Sequence, residues 1–184
     1  MGLKKAFESL LRMGDPGRPR GEDPVSMVLL LKESHFPKLA QLREAAGRAF
    51  GASFSGDRSS RHSVYQRGVI FTLANVGPHT LSFLYQTMPY ADNSERAREF
   101  EKTLLRVDQR QAWAEHSAYM AIDYVQGDVD IDSKYVVLAR LCAQLYDTNC
   151  VALYLPRECA LVPGDTAARQ QMNKIIAYRS VDVT

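Results

Sequence analysis

From Val25 to Leu31 the chain places apolar residues on successive positions, broken only by Ser26. Such a run fits a strand covered on both faces, so it is expected inside a sheet. Pro37 then suits the first turn of a helix, where its missing N–H costs nothing. Leu39, Leu42, Ala46 and Phe50 recur at helical spacing as far as Gly51, the expected stop. Residues 52–62 are rich in Ser, Gly and Arg and read as an exposed loop. The runs VYQRGVIFTLANV and HTLSFLYQTM follow, and the Gly77-Pro78 pair between them favours an antiparallel hairpin of strands over residues 69–74 and 81–88.

Ser94 is placed to cap a long, charged helix whose apolar stripe is Ala97, Phe100, Leu104, Val107 and Trp113. SAYMAIDYV predicts a fourth strand over 118–125. Asp132 or Ser133 can then cap a helix that gathers Leu138, Leu141, Cys142 and Leu145 on one face. CVALYLP predicts a fifth strand over 151–155, RECALVPGD reads as a loop, and residues 166–178 form a final amphipathic helix. The order of the first six elements is β-α-β-β-α-β. That order predicts an α/β (α+β) fold, a ferredoxin-like core with the hairpin at an edge and both helices on one face. A further α-β unit extends it into one mixed sheet, flanked by N- and C-terminal helices. Residues 1–13 read as an amphipathic helix and residues 14–24 (GDPGRPRGEDP) as a linker. Residues 25–184 then form a single domain of ordinary size.

Charge changes this picture little. Lys+Arg 23 against Asp+Glu 21 gives a formal +2, so no anionic partner is demanded. Cys142, Cys150 and Cys159 are an odd number without metal-ligand spacing, which points to a reducing, cytoplasmic setting and to no metal or cofactor. No apolar run approaches the length of a transmembrane segment.

Local motifs each fall short of a chemistry. Arg67-Gly-Val-Ile-Phe-Thr-Leu73 shares Arg, Gly and Phe71 with the aromatic strand signature of RNA-recognition domains. It lacks the second stacking ring, and residues 25–31 carry no aromatic. A loop of Arg58, Arg61, His62 and Arg67 is the candidate nucleic-acid surface. Asp128, Asp130 and Asp132 begin like a calcium loop, but Ser133 and Ala139 stand where Gly and a bidentate acid are needed, so a turn and helix cap is the expectation. His116 and the exposed-loop thiol Cys159, beside Arg157 and Glu158, are the candidates for nucleophilic chemistry, whereas Cys142 falls on an apolar stripe.

Residues 111–164 resemble an uncharacterised bacterial family of domains of unknown function. The likeness rests on the Trp113 to His116 junction, the helix VVLARLCAQLY before strand five, and the Leu161-Val162-Pro163 tail. Some such families sit beside toxin and immunity proteins, so the resemblance implies an interaction role. The expected function is accordingly a non-enzymatic, cytoplasmic binding or protein-interaction module, with Trp113, His116, Arg157, Glu158 and Cys159 as candidate binding residues. A protein partner or a second copy of the chain fits this better than nucleic acid. The alternatives are a small hydrolase or transferase using His116 or Cys159, and a nucleic-acid-binding domain using Arg58, Arg61 and Arg67. Trp113, the sole tryptophan, is expected to be buried and to pin its helix to the sheet.

Overall fold

A computed structural model describes residues 25–67, 71–90 and 100–178. The expected N-terminal helix, the linker, Ser94 and Ala97 lie outside the described residues, as does the side chain of Phe71. The described elements are β1 (Ser26–Leu31), α1 (Leu39–Phe50), β2 (His62–Arg67), β3 (Phe71–Val76), β4 (His79–Gln86) and α2 (Val107–Glu115). They continue as β5 (Ala118–Gln126), α3 (Ile131–Leu145), β6 (Cys150–Leu155), β7 (Ala160–Pro163) and α4 (Asp165–Tyr178).

All five expected strand regions join one seven-stranded sheet of order β2-β3-β4-β5-β1-β6-β7. Each adjacent pair is antiparallel, so the sheet is not mixed. The strand order also differs from the ferredoxin-like one. Both sides of β1 are occupied by β5 and β6; β4 pairs with β3 in the expected antiparallel hairpin, but its other neighbour is β5 rather than β1, with Phe83 opposite Ile122. The connection through α3 carries the chain from β5 across β1 to β6. Every β1 residue is buried, as an apolar run with covering layers on both faces requires.

The helices divide between the faces. Met27, Leu29 and Leu31 of β1 point into the larger core with Leu42, Ala45 and Ala46 of α1, Leu138, Leu141 and Cys142 of α3, and Ala168 and Met172 of α4. Val28 and Leu30 point to the other face and meet Ala112 and Trp113 of α2, Phe100, Leu104 and Tyr154. The expectation of both early helices on one face therefore fails, because α2 packs opposite α1.

Several boundaries move for local reasons. Gly51 ends α1 with a left-handed φ of 65°, as expected of a residue without Cβ, while Pro37 precedes the helix, which starts at Leu39. The run VYQRGVIFTLANV holds two strands rather than one, β2 and β3, paired as a hairpin with Arg67 opposite Phe71. The long helix is interrupted: Leu104 to Arg106 are non-helical, and Val107 is exposed at the start of α2 rather than part of an apolar stripe. Asp130, not Asp132 or Ser133, caps α3, since its carboxylate accepts the Ser133 N–H at 2.9 Å. The supposed loop after β6 contains β7, reached through a turn in which Cys159 adopts φ 47°.

Both sheet edges carry side-chain caps. On β2 the Val64 N–H bonds to the Ser55 carbonyl, and the Val64 carbonyl accepts Arg43 Nε at 3.1 Å. Arg43 lies against Gly56, where an added Cβ would come 2.6 Å from its guanidinium. On β7 the Leu161 carbonyl accepts Gln109 Nε2 at 3.0 Å. Such caps blunt edge-to-edge pairing.

Candidate functional site

At the end of the sheet where β1 and β7 finish and β6 begins, an open cleft of about 830 Å³ lies between α2 and the junction of α3 with α4. Its walls follow from three amphipathic elements. α2 turns Trp113 inward and Asp108, Gln111 and Glu115 toward the cleft. The end of α3 supplies Tyr146 and Asp147, the start of α4 supplies Asp165 and Arg169, and Lys32 follows β1.

The charges here are only partly matched. Arg169 pairs with Asp165 at 2.7 Å and donates to the Tyr146 carbonyl at 2.8 Å, with its guanidinium over the Tyr146 ring. Asp108 pairs with Arg106, whose hydrogen bond is the main cause holding the Asp108 carboxyl below its ordinary pKa. Among the described residues Lys32 forms no salt bridge, and Glu115 accepts the Gln111 amide at 2.7 Å. Asp147 accepts the Asn149 N–H and the Cys150 thiol, and meets no cation. One ammonium and two carboxylates thus line the cleft without a salt bridge to a described residue.

The cleft does not activate its thiol. Cys150 is buried, and that burial pushes its pKa up to about 12, so it is a protonated donor rather than a thiolate. The Tyr146 hydroxyl is buried without a hydrogen-bond partner among the described residues, and burial is the main cause that raises its pKa.

Trp113 and His116 are in contact, with ring centroids 5.2 Å apart, and both are buried. The Tyr90 N–H donates to His116 Nε2 at 2.9 Å, which leaves Nδ1 protonated and donating to the Trp113 carbonyl at 2.6 Å. Both ring nitrogens are engaged. Burial lowers the His116 pKa, consistent with this neutral tautomer. The pair belongs to an aromatic cluster with Tyr90, Phe100 and Tyr154 rather than to an open surface.

Arg157, Glu158 and Cys159 form the turn between β6 and β7. Cys159 is exposed, and its thiol donates to the Pro156 carbonyl at 3.7 Å; His116 is not its partner. Arg58, Arg61 and Arg67 lie near the β2 edge, and all three are exposed. Asp128 precedes the Asp130 cap of α3, and no group of His, Cys, Asp and Glu able to hold a metal occurs among the described residues.

Two buried polar groups escaped the sequence patterns. Asp123 lies directly between Ser26 of β1 and Ser82 of β4. Its carboxylate accepts Ser26 Oγ at 2.5 Å and Ser82 Oγ at 3.5 Å, while burial raises its pKa. His79 Nδ1 and the Tyr124 hydroxyl share a hydrogen bond of 2.5 Å. Gly127, at φ 141°, leaves room for them: an added Cβ would stand 2.0 Å from that hydroxyl. An alternation of apolar and polar residues marks the strands but not which polar side chains meet across them. No helix among the described residues is long and apolar enough to cross a membrane. Comparison with family models, curated proteins and solved structures finds no match to this chain.

Proposed function

We propose that this chain is a non-enzymatic binding or protein-interaction module that takes its ligand in the cleft between α2 and the α3–α4 junction. The observation that carries this reading is the charge lining there, Lys32 with Glu115 and Asp147, none of them in a salt bridge with a described residue, in an open space of about 830 Å³. A peptide segment with both an acidic and a basic group complements it, since each charge would gain a partner that the fold does not supply. The state of the nearby groups supports binding over catalysis. The Cys150 thiol is held protonated, and both His116 nitrogens are committed to backbone groups. Three free cysteines fit a reducing, cytoplasmic compartment.

The test is selection of peptides from a displayed random library on the full chain, followed by titration of the enriched sequences into Lys32→Glu and Glu115→Lys variants. The reading expects enrichment of peptides with both charge signs and at least tenfold weaker binding to each variant. Equal binding to the variants would remove the cleft as the site. Turnover of ester, thioester or phosphoester substrates that is lost in Cys159→Ser would instead establish the hydrolase or transferase reading.

A further inference from the structure

A second, smaller pocket of about 170 Å³ opens on the other half of α4, and it shares no lining residue with the cleft. The first turns of α3 bring Asp132 and Tyr135 to it, the β6–β7 turn brings Glu158, and α4 brings Ile175 and Tyr178, with Leu155 at the end of β6. Its volume equals roughly five to six water molecules, enough for the end of one long side chain.

Its chemistry is one-sided. Leu155 and Ile175 give apolar walls, while Tyr135 and Tyr178 add ring surface. Asp132 and Glu158 are its charged residues, and neither forms a salt bridge with a described residue. Tyr135 is 8% exposed, and its hydroxyl is buried with no partner at full hydrogen-bond geometry. It stands toward Glu158, whose negative charge and hydrogen bonding to the phenol add to burial in raising the phenol pKa, while the neighbouring Arg157 offsets part of that effect. A buried hydroxyl short of a full hydrogen bond is destabilising, so an occupant that supplies a partner relieves that cost.

We propose that this pocket binds a primary alkylammonium group, the chemistry found at the end of a lysine side chain. The methylene stem fits the Leu155 and Ile175 walls and lies along the tyrosine rings, as lysine stems do when the charged end stays polar. The three N–H groups of the ammonium then serve Glu158, Asp132 and the Tyr135 oxygen, the acceptors the pocket offers. A quaternary ammonium has no N–H for that oxygen and an alcohol has no charge for the carboxylates. The pocket therefore selects among them, and it does so independently of the cleft.

The experiment is an amide NMR titration of the full chain with n-butylammonium, at constant ionic strength, against n-butanol and tetramethylammonium. The expected result is saturable shifts confined to residues around Tyr135, Glu158 and Ile175, with binding at least tenfold weaker for both comparison compounds. Glu158→Gln, in an exposed turn, is expected to weaken n-butylammonium at least fivefold with unchanged thermal stability, and Asp132→Asn to weaken it as well. Tyr135→Phe, which keeps the ring, separates the hydroxyl contribution and should weaken binding while leaving the fold intact. Equal binding of n-butanol, tighter binding of tetramethylammonium, shifts that do not saturate, or insensitivity to Glu158→Gln would each overturn the proposal.

Discussion

Replacing Trp113 by alanine removes the side chain that joins α2 to the second face of the sheet. The indole is 7% exposed and lies 5.1 Å from the Phe100 ring, 5.9 Å from Tyr154 and 6.4 Å from Tyr90, centroid to centroid. A large aromatic buries on the order of 200 Å², worth about 5 kcal/mol at roughly 25 cal/mol per Å². Relaxation into the space left behind lowers the net cost, and measured tryptophan-to-alanine changes in cores run about 3–5 kcal/mol. The polar term stays out of this sum, because His116 bonds to the Trp113 backbone carbonyl, which alanine keeps. The variant should therefore lose about 3–5 kcal/mol. Since Trp113 is the only tryptophan, urea unfolding is followed by far-ultraviolet circular dichroism for both proteins. A loss below about 1 kcal/mol at unchanged m-value would refute the packing argument and mark the α2 face as one that tolerates opening.

Asp123→Asn probes the buried carboxylate: burial raises its folded pKa above the unfolded value, so the folded state keeps a proton that the unfolded chain releases. Stability of the parent then falls as pH rises from about 4 through that raised value, and the variant should gain on the parent over this window. An identical pH profile for the two proteins would contradict the assignment. A thiol reagent applied to the native protein should label Cys159 first, Cys150 slowly, and Cys142, fully buried with its pKa raised by that burial, last. Mass spectrometry of peptides reads the order, and early labelling of Cys142 would mean that the inward face of α3 is wrongly assigned.

The elements were legible wherever one period dominated a stretch. β1 shows as an unbroken apolar run because two layers cover it, and α1 shows its face and its stop because Leu42, Ala46 and Gly51 obey simple steric rules. Strand order was not legible, since periodicity says which face of a strand is buried and nothing about its neighbour. The same run of residues 118–126 would serve beside β4 or elsewhere; its place between β4 and β1 comes from long-range packing. β7 was hidden by its length of four residues and by Pro163, and the hairpin of β2 and β3 by β-forming residues on both sides of its turn. Trp113 could be read as core because a lone large ring at an element junction has few other uses. The cleft could not be read: Lys32, Glu115, Asp147 and Arg169 come from four distant segments, and each looks like an ordinary surface charge until the fold brings them together.

The central claim is that this cleft holds the ligand of a binding module. Transferred cross-saturation from a selected, unlabelled peptide to the isotope-labelled full chain tests it most directly. The account predicts attenuation concentrated at the amides around Lys32, Glu115, Asp147 and Arg169, with the peptide recovered chemically unchanged. Attenuation centred on another surface, or a peptide returned cleaved or modified, would contradict it.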